Sequence, residues 1–158
     1  MRKEKRNNKG FSLVELIIVI AIMAILVVVS APQYLRYVES SRNSTDMQNA
    51  TEMVTAIQIY AADPEANPAI TTADNGATIT IGQTANANAC PNAQIAAALT
   101  NAGLTPTTTT CRSRTAWDTY VITVNVDGNG NVSFTYTSTF NGSTPATGDA
   151  FEAKMLGQ

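Results

Sequence analysis

No histidine occurs among the 158 residues. That removes the side chain most often used as a general base near neutral pH and the commonest nitrogen ligand for metals. Serine and threonine abound, yet no Ser-x-x-Lys pattern and no glycine-rich phosphate loop accompanies them. No nucleophile with its base is visible, so no enzymatic role, cofactor or metal centre is expected. Charge is scarce, at 14% of residues, and five of the ten basic side chains crowd the extreme N-terminus as Arg2, Lys3, Lys5, Arg6 and Lys9. The rest of the chain keeps five basic against eleven acidic side chains, a net of −6. This balance excludes a general phosphate-binding surface, and no direct nucleic-acid contact is expected. The two cysteines, Cys90 and Cys111, stand too far apart for a Cys-x-x-Cys redox pair or a zinc pair.

What the chain has in abundance is one long apolar run. Lys9-Gly10-Phe11-Ser12-Leu13-Val14-Glu15 leads directly into fourteen consecutive apolar residues, Leu16 to Val29. From Phe11 to Ala31 only Ser12, Glu15 and Ser30 are polar. A helix of about 20 residues reaches ~30 Å, the thickness of a bilayer's hydrocarbon core. The run is therefore a membrane-spanning candidate, and its oddity is Glu15. A carboxylate near mid-membrane costs roughly 2.5–3.5 kcal/mol on insertion scales, and such residues mark function. The basic leader stays cytoplasmic by the positive-inside rule, which sends the C-terminal part outside.

Beyond Pro32 the helix continues in amphipathic form. Met47, Ala50, Val54, Ile57 and Ala61 recur at helical spacing, with Glu39, Arg42, Asp46, Glu52 and Gln58 supplying polar faces. Asp63-Pro64 stops it, because the residue before proline avoids the α region. Proline at 32 removes one backbone donor and is expected to bend the helix. Thr78 to Ile81 reads as a short strand, and Ala93 to Ala102 as a short helix with Asn92 as N-cap and Gly103 as stop. Thr105 to Thr110 is a threonine run, either loop or edge strand. Trp117–Asp127 and Val132–Phe140 alternate as strands joined by Asp127-Gly-Asn-Gly-Asn131. That turn resembles the first half of a calcium loop, but the later glycine and bidentate acid are replaced by Val132 and Ser138, so a tight turn is expected. Phe151 to Leu156 reads as a final strand. The fold class is α+β: a long N-terminal α-helix packed on a small antiparallel β-sheet headgroup.

The stretch from Lys9 to Pro32 resembles the class III signal of type IV pilins. The resemblance covers about 25 residues and reaches no further than Ala62. It implies a leader over 1–10, an apolar transmembrane and filament-core half-helix over 11–32, an amphipathic half-helix over 33–62 and a headgroup over 63–158. Gly10 matches the residue before the cut, Phe11 the first mature residue, which becomes N-methylated, Glu15 the acidic assembly residue and Pro32 the helix kink. One departure is Ala24, where many pilins have glycine; alanine is the best helix former, leaving Pro32 as the weak point. The implied partners are further copies of the chain, the prepilin peptidase and methyltransferase, an inner-membrane assembly platform and minor pilins. The implied location is the cytoplasmic membrane for the precursor and a surface pilus after assembly. In such an exported chain Cys90 and Cys111 are expected to form a disulfide. The rival readings are a pseudopilin of type II secretion and a membrane-anchored binding domain that never polymerises.

Overall fold

The computed structural model describes residues 10–63, 69–141 and 150–157. The basic leader, the proline at 64 and the tail residues Gly142, Ser143 and Gly148 fall outside the described residues. The chain divides into two compact units between Val38 and Glu39.

Helix α1 runs Leu13–Ala62, 50 residues, and its assignment is continuous through Pro32. It stops one residue before the Asp63-Pro64 signal. In the first unit all the large apolar side chains from Leu13 to Val29 are exposed, at 51–73% of their surface. Soluble monomers rarely expose an apolar surface of this extent, so it is a surface made for lipid or for protein. By length and composition α1 is long and apolar enough to cross a membrane.

The second unit contains the core. Here α1 buries Asn43, Asp46, Ala50, Met53, Ala56, Ile57 and Tyr60. The expected stripe shares Ala50 and Ile57 with this face, while Met47, Val54 and Ala61 are its half-buried flanks. Asp46 is a correction: expected on a polar face, it is fully buried. The reason is positional, since residues 43, 46, 50, 53, 57 and 60 step by three and four along one helix face.

Three strands follow the order β1-β2-β3, all antiparallel: β1 Ala77–Gly82, β2 Thr119–Val126 and β3 Val132–Thr139. The register aligns Ile79 with Ile122 and Tyr136, so one face carries Ile79, Ile81, Tyr120, Ile122, Val124 and Tyr136 into the core. Threonines 78, 80, 123, 135 and 137 take the other face, as period-two alternation requires. Helix α2, Ala93–Asn101, starts at Asn92, whose side chain accepts the Ile95 N–H at 3.0 Å, as expected. Its Ile95 and Leu99 are fully buried in the same core. Residues 105–110 are turn and loop.

The C-terminal strand is the second correction. Ala150–Met155 is a short helix, α3. Phe151 is fully buried, stacked on Tyr120 at 4.5 Å between centroids and edge-on to Trp117 at 5.1 Å. Phe-Glu-Ala-Lys-Met alternates as a strand would, but Glu, Ala, Lys and Met are strong helix formers and the segment has one large anchor to bury, Phe151, which a single helical turn can place in the core.

Candidate processing and assembly site

The residues around the expected cut lie just ahead of α1. Gly10, Phe11 and Ser12 are non-helical, and Phe11 is 92% exposed. The helix begins where it does because Ser12 and Glu15 cap it. The Ser12 hydroxyl accepts the Val14 N–H at 3.4 Å, and the Glu15 carboxylate reaches back to accept the Ser12 N–H at 2.9 Å. Two of the backbone donors left over at a helix start are thereby satisfied. The negative charge also sits at the positive end of the helix macrodipole. The Gly10–Phe11 peptide bond is thus accessible and held outside the helix. Ser12 is a residue that the motif reading passed over, though Ser-x-x-Glu before an apolar run is itself a capping signal. Tyr34 and Tyr37, interface-type aromatics, are exposed further along.

In the second unit two carboxylates on α1 hold the loop that precedes β2. Asp46 accepts the N–H of Arg112 at 2.7 Å and of Ser113 at 2.9 Å, the Trp117 indole N–H at 2.9 Å and the Cys111 thiol at 3.4 Å. Glu39, two turns earlier, accepts the Ser113 hydroxyl at 2.9 Å and the N–H groups of Arg114 at 2.6 Å and Thr115 at 2.8 Å. Partial burial opposes ionisation of Glu39, but the N–H donors of Arg114 and Thr115 and the Ser113 hydroxyl outweigh it and hold the group down at about 2. No feature of the sequence pairs positions this far apart, so the clamp was invisible before the fold.

Cys90 and Cys111 are free thiols in this structure, where a bridge was expected. The register supplies the reason. Ala89 pairs with Thr80 on the outer edge of β1, and the Cys111 N–H donates to the Gly82 carbonyl on that same edge. Cys90 therefore falls level with Ile79, three strand positions from Gly82, or roughly 10 Å along the strand. Bridged cysteines keep their Cα atoms within about 7 Å. Burial, reinforced by the nearby Asp46 charge, pushes the Cys111 thiol well above its ordinary pKa. Gly82 is needed where it stands, because a Cβ there would collide with that of Ala87.

The calcium-like turn spends its carboxylate on itself. Asp127 accepts the N–H groups of Asn129 and Asn131, both at 2.8 Å, and the Asn131 side-chain amide at 2.7 Å. The Asn131 amide and N–H hold the Asp127 carboxyl below its usual range. Asn43, which opens an Asn-Ser-Thr sequence of the kind that accepts N-linked sugar, is buried on α1.

Comparison with known proteins places the N-terminal geometry. The family described as the prokaryotic N-terminal methylation motif matches residues 5–31. A type IV major fimbrial protein, FimA of Dichelobacter nodosus, is 42% identical over 59 residues, 37% of this chain and 38% of that protein. Prepilin peptidase-dependent protein A of Clostridium perfringens (strain 13 / Type A) is 35% identical over 77 residues, 46% of this chain and 55% of the other. Fimbrial protein EcpC of Eikenella corrodens is 37% identical over 103 residues, 65% of this chain and 64% of the other. The chain thus spans between about two fifths and under two thirds of the length of these curated relatives. No solved structure matches. These matches show that residues 5–31 carry the prokaryotic N-terminal methylation motif, a class III signal peptide, and that the chain is similar to type IV fimbrial proteins.

Proposed function

We propose that this chain is a structural subunit, a major pilin, of a type IV pilus that serves adhesion or motility. It is not an enzyme. The precursor is held in the cytoplasmic membrane by the apolar half of α1, with its C-terminal headgroup outside. Prepilin peptidase cuts between Gly10 and Phe11, and the new amine at Phe11 is methylated. The assembly platform then moves the subunit from the membrane into a fibre, and minor pilins complete it. The observation that carries this reading is the wholly exposed apolar surface of Leu13–Val29, interrupted near its start by Glu15.

The chemistry of assembly follows from that surface. Apolar helices pack together and take the place of lipid. A positive amine at Phe11 and a carboxylate at Glu15 both need a counter-ion in such a core. On one helix they lie one turn apart in height, so a neighbour displaced along the axis brings its Phe11 amine level with Glu15. Neutralisation then selects a staggered assembly. Pro32, which lacks a backbone donor, is the position at which this helix is expected to bend.

Immuno-electron microscopy with antibody to the headgroup, residues 63–158, tests the role. Labelling along the shaft of surface fibres is expected. Labelling of the cell envelope without fibres would instead support the anchored binding domain, and labelling at fibre tips alone would contradict a major subunit.

A further inference from the structure

The last turns of the first unit carry side-chain donors that the rest of the chain leaves unused. Gln33, Tyr34, Arg36 and Tyr37 are all exposed on α1 within that unit. Among the described residues Arg42 pairs with Glu39 and Arg114 donates to Gln83, whereas the Arg36 guanidinium meets no acceptor. Glu39, on the next turn, is engaged at both oxygens. One takes the donors of Ser113, Arg114 and Thr115, and the other takes Arg42. Two adjoining recesses on this face of α1 share Gln33 and Tyr37. Val29, Ser30 and Tyr34 complete one, and Arg36 completes the other. Positions 29, 33 and 36 and positions 30, 33 and 37 step by three and four, so they follow one face of the helix. Along the axis that face passes from an aliphatic side chain at 29, through a hydroxyl at 30 and an amide at 33, to a cation at 36. A phospholipid presents its groups in the same order, from acyl chain through ester to phosphate.

The depth agrees with that order. The apolar run Leu16–Val29 has its midpoint between Ile22 and Met23. Centred in a hydrocarbon core of ~30 Å, a helix rising ~1.5 Å per residue leaves the core about ten residues later, beside Pro32. Gln33 to Tyr37 then occupy the next ~7 Å, the depth of the lipid headgroups. The whole distance lies along one helix inside the first unit. We propose that Arg36, with Gln33 and Tyr37 beside it, is a binding site for the phosphate of an anionic phospholipid whose acyl chain lies against Val29. This rests on the apolar half of α1 being the precursor's membrane anchor. A guanidinium suits the role because it offers a planar fork of donors to phosphate oxygens, and tyrosine rings belong at this depth. The lipid is anionic because the phosphate of a zwitterionic lipid already has a cation of its own. The contact fixes how deep the precursor sits, and it is given up when the helix leaves the bilayer.

Native mass spectrometry of the full chain in neutral detergent tests this, with phosphatidylglycerol and phosphatidylcholine of identical acyl chains present in equal amounts. Wild-type chain is expected to retain phosphatidylglycerol preferentially. Arg36→Gln is expected to lower that preference about fivefold, the effect of one basic group at an anionic surface. Arg42→Gln, which removes a guanidinium already paired with Glu39, is expected to leave it unchanged. All three chains keep the basic leader, so its contribution cancels in the ratios. An unchanged preference in Arg36→Gln would overturn the proposal, and so would an equal fall in Arg42→Gln, which would make the preference one of overall charge. Dimers in place of lipid adducts, lost in Arg36→Gln, would also overturn it by giving this face to a second copy of the chain. Extraction of cell membranes with alkaline carbonate tests the anchor separately. A chain released by carbonate would overturn the anchor reading and the lipid site with it, whereas an integral chain without an Arg36-dependent preference would overturn the lipid site alone.

Discussion

The Glu15 carboxylate accepts the backbone N–H of Ser12 at 2.9 Å, capping the start of α1. Glu15 therefore has two separable properties: the reach of its side chain, which caps its own helix, and its charge, which can neutralise an amine. Glutamine keeps the first and loses the second. Glu15→Gln and Glu15→Ala are both expected to be cut after Gly10 and to lower fibre yield at least tenfold, measured by shearing and quantifying surface fibres. Normal yield from Glu15→Gln would show that capping, not charge, is what matters.

Asp46 and Trp117 are joined at 2.9 Å in the centre of the headgroup, 71 residues apart in sequence. Asp46→Ala would leave the indole N–H and the N–H groups of Arg112 and Ser113 without their acceptor. Each buried donor left unmet costs roughly 1–3 kcal/mol. The expected loss is about 3–5 kcal/mol, read as a thermal midpoint lower by roughly 10 °C or more. A midpoint within a degree or two of wild type would refute the clamp.

Much of the fold was legible before the structure. The 50-residue helix followed from an apolar run joined to a helical stripe, and its end from Asp63-Pro64. Strands β2 and β3 followed from alternation, and α2 from its Asn92 cap. Asp46 was misread because a search for apolar periodicity discards a polar residue even when it occupies the buried position. Its partners come from residues 111–117, which no local pattern links to α1. The C-terminal segment was misread for a related reason: over five residues apolar/polar alternation does not distinguish strand from short helix, and here helix-forming residues and the ring cluster around Phe151 decide. At the N-terminus Glu15 stood out in the sequence as the one charge beside the apolar run, whereas the Ser12 cap emerged only from the geometry of the helix start.

Acid should loosen the clamp in a defined window. Folding lowers the pKa of Glu39 from 4.5 to about 2. The contribution is therefore complete above pH 4.5 and is lost as the pH falls toward 2. Thermal midpoints measured between pH 6 and pH 2.5 should fall more steeply for wild type than for Glu39→Gln. Parallel curves would mean that Glu39 is not held in this way.

The cysteines give a covalent check on the register of the 83–111 segment. In the arrangement described, non-reduced protein purified from the cell surface should alkylate at both thiols once unfolded, with Cys111 unreactive in the native state. Protein that takes up no alkylating agent without prior reduction would contain the Cys90–Cys111 bridge. The segment would then have to shift by several Å along β1.

The central claim is that the bond between Gly10 and Phe11 is cut and that the product polymerises. Peptide mass spectrometry of protein recovered from sheared surface fibres tests both together. The account predicts that the N-terminal peptide begins at Phe11 and carries one added methyl group on its amine. Fibres free of this chain, or chain recovered only from membranes with Lys9 and Gly10 still attached, would contradict it.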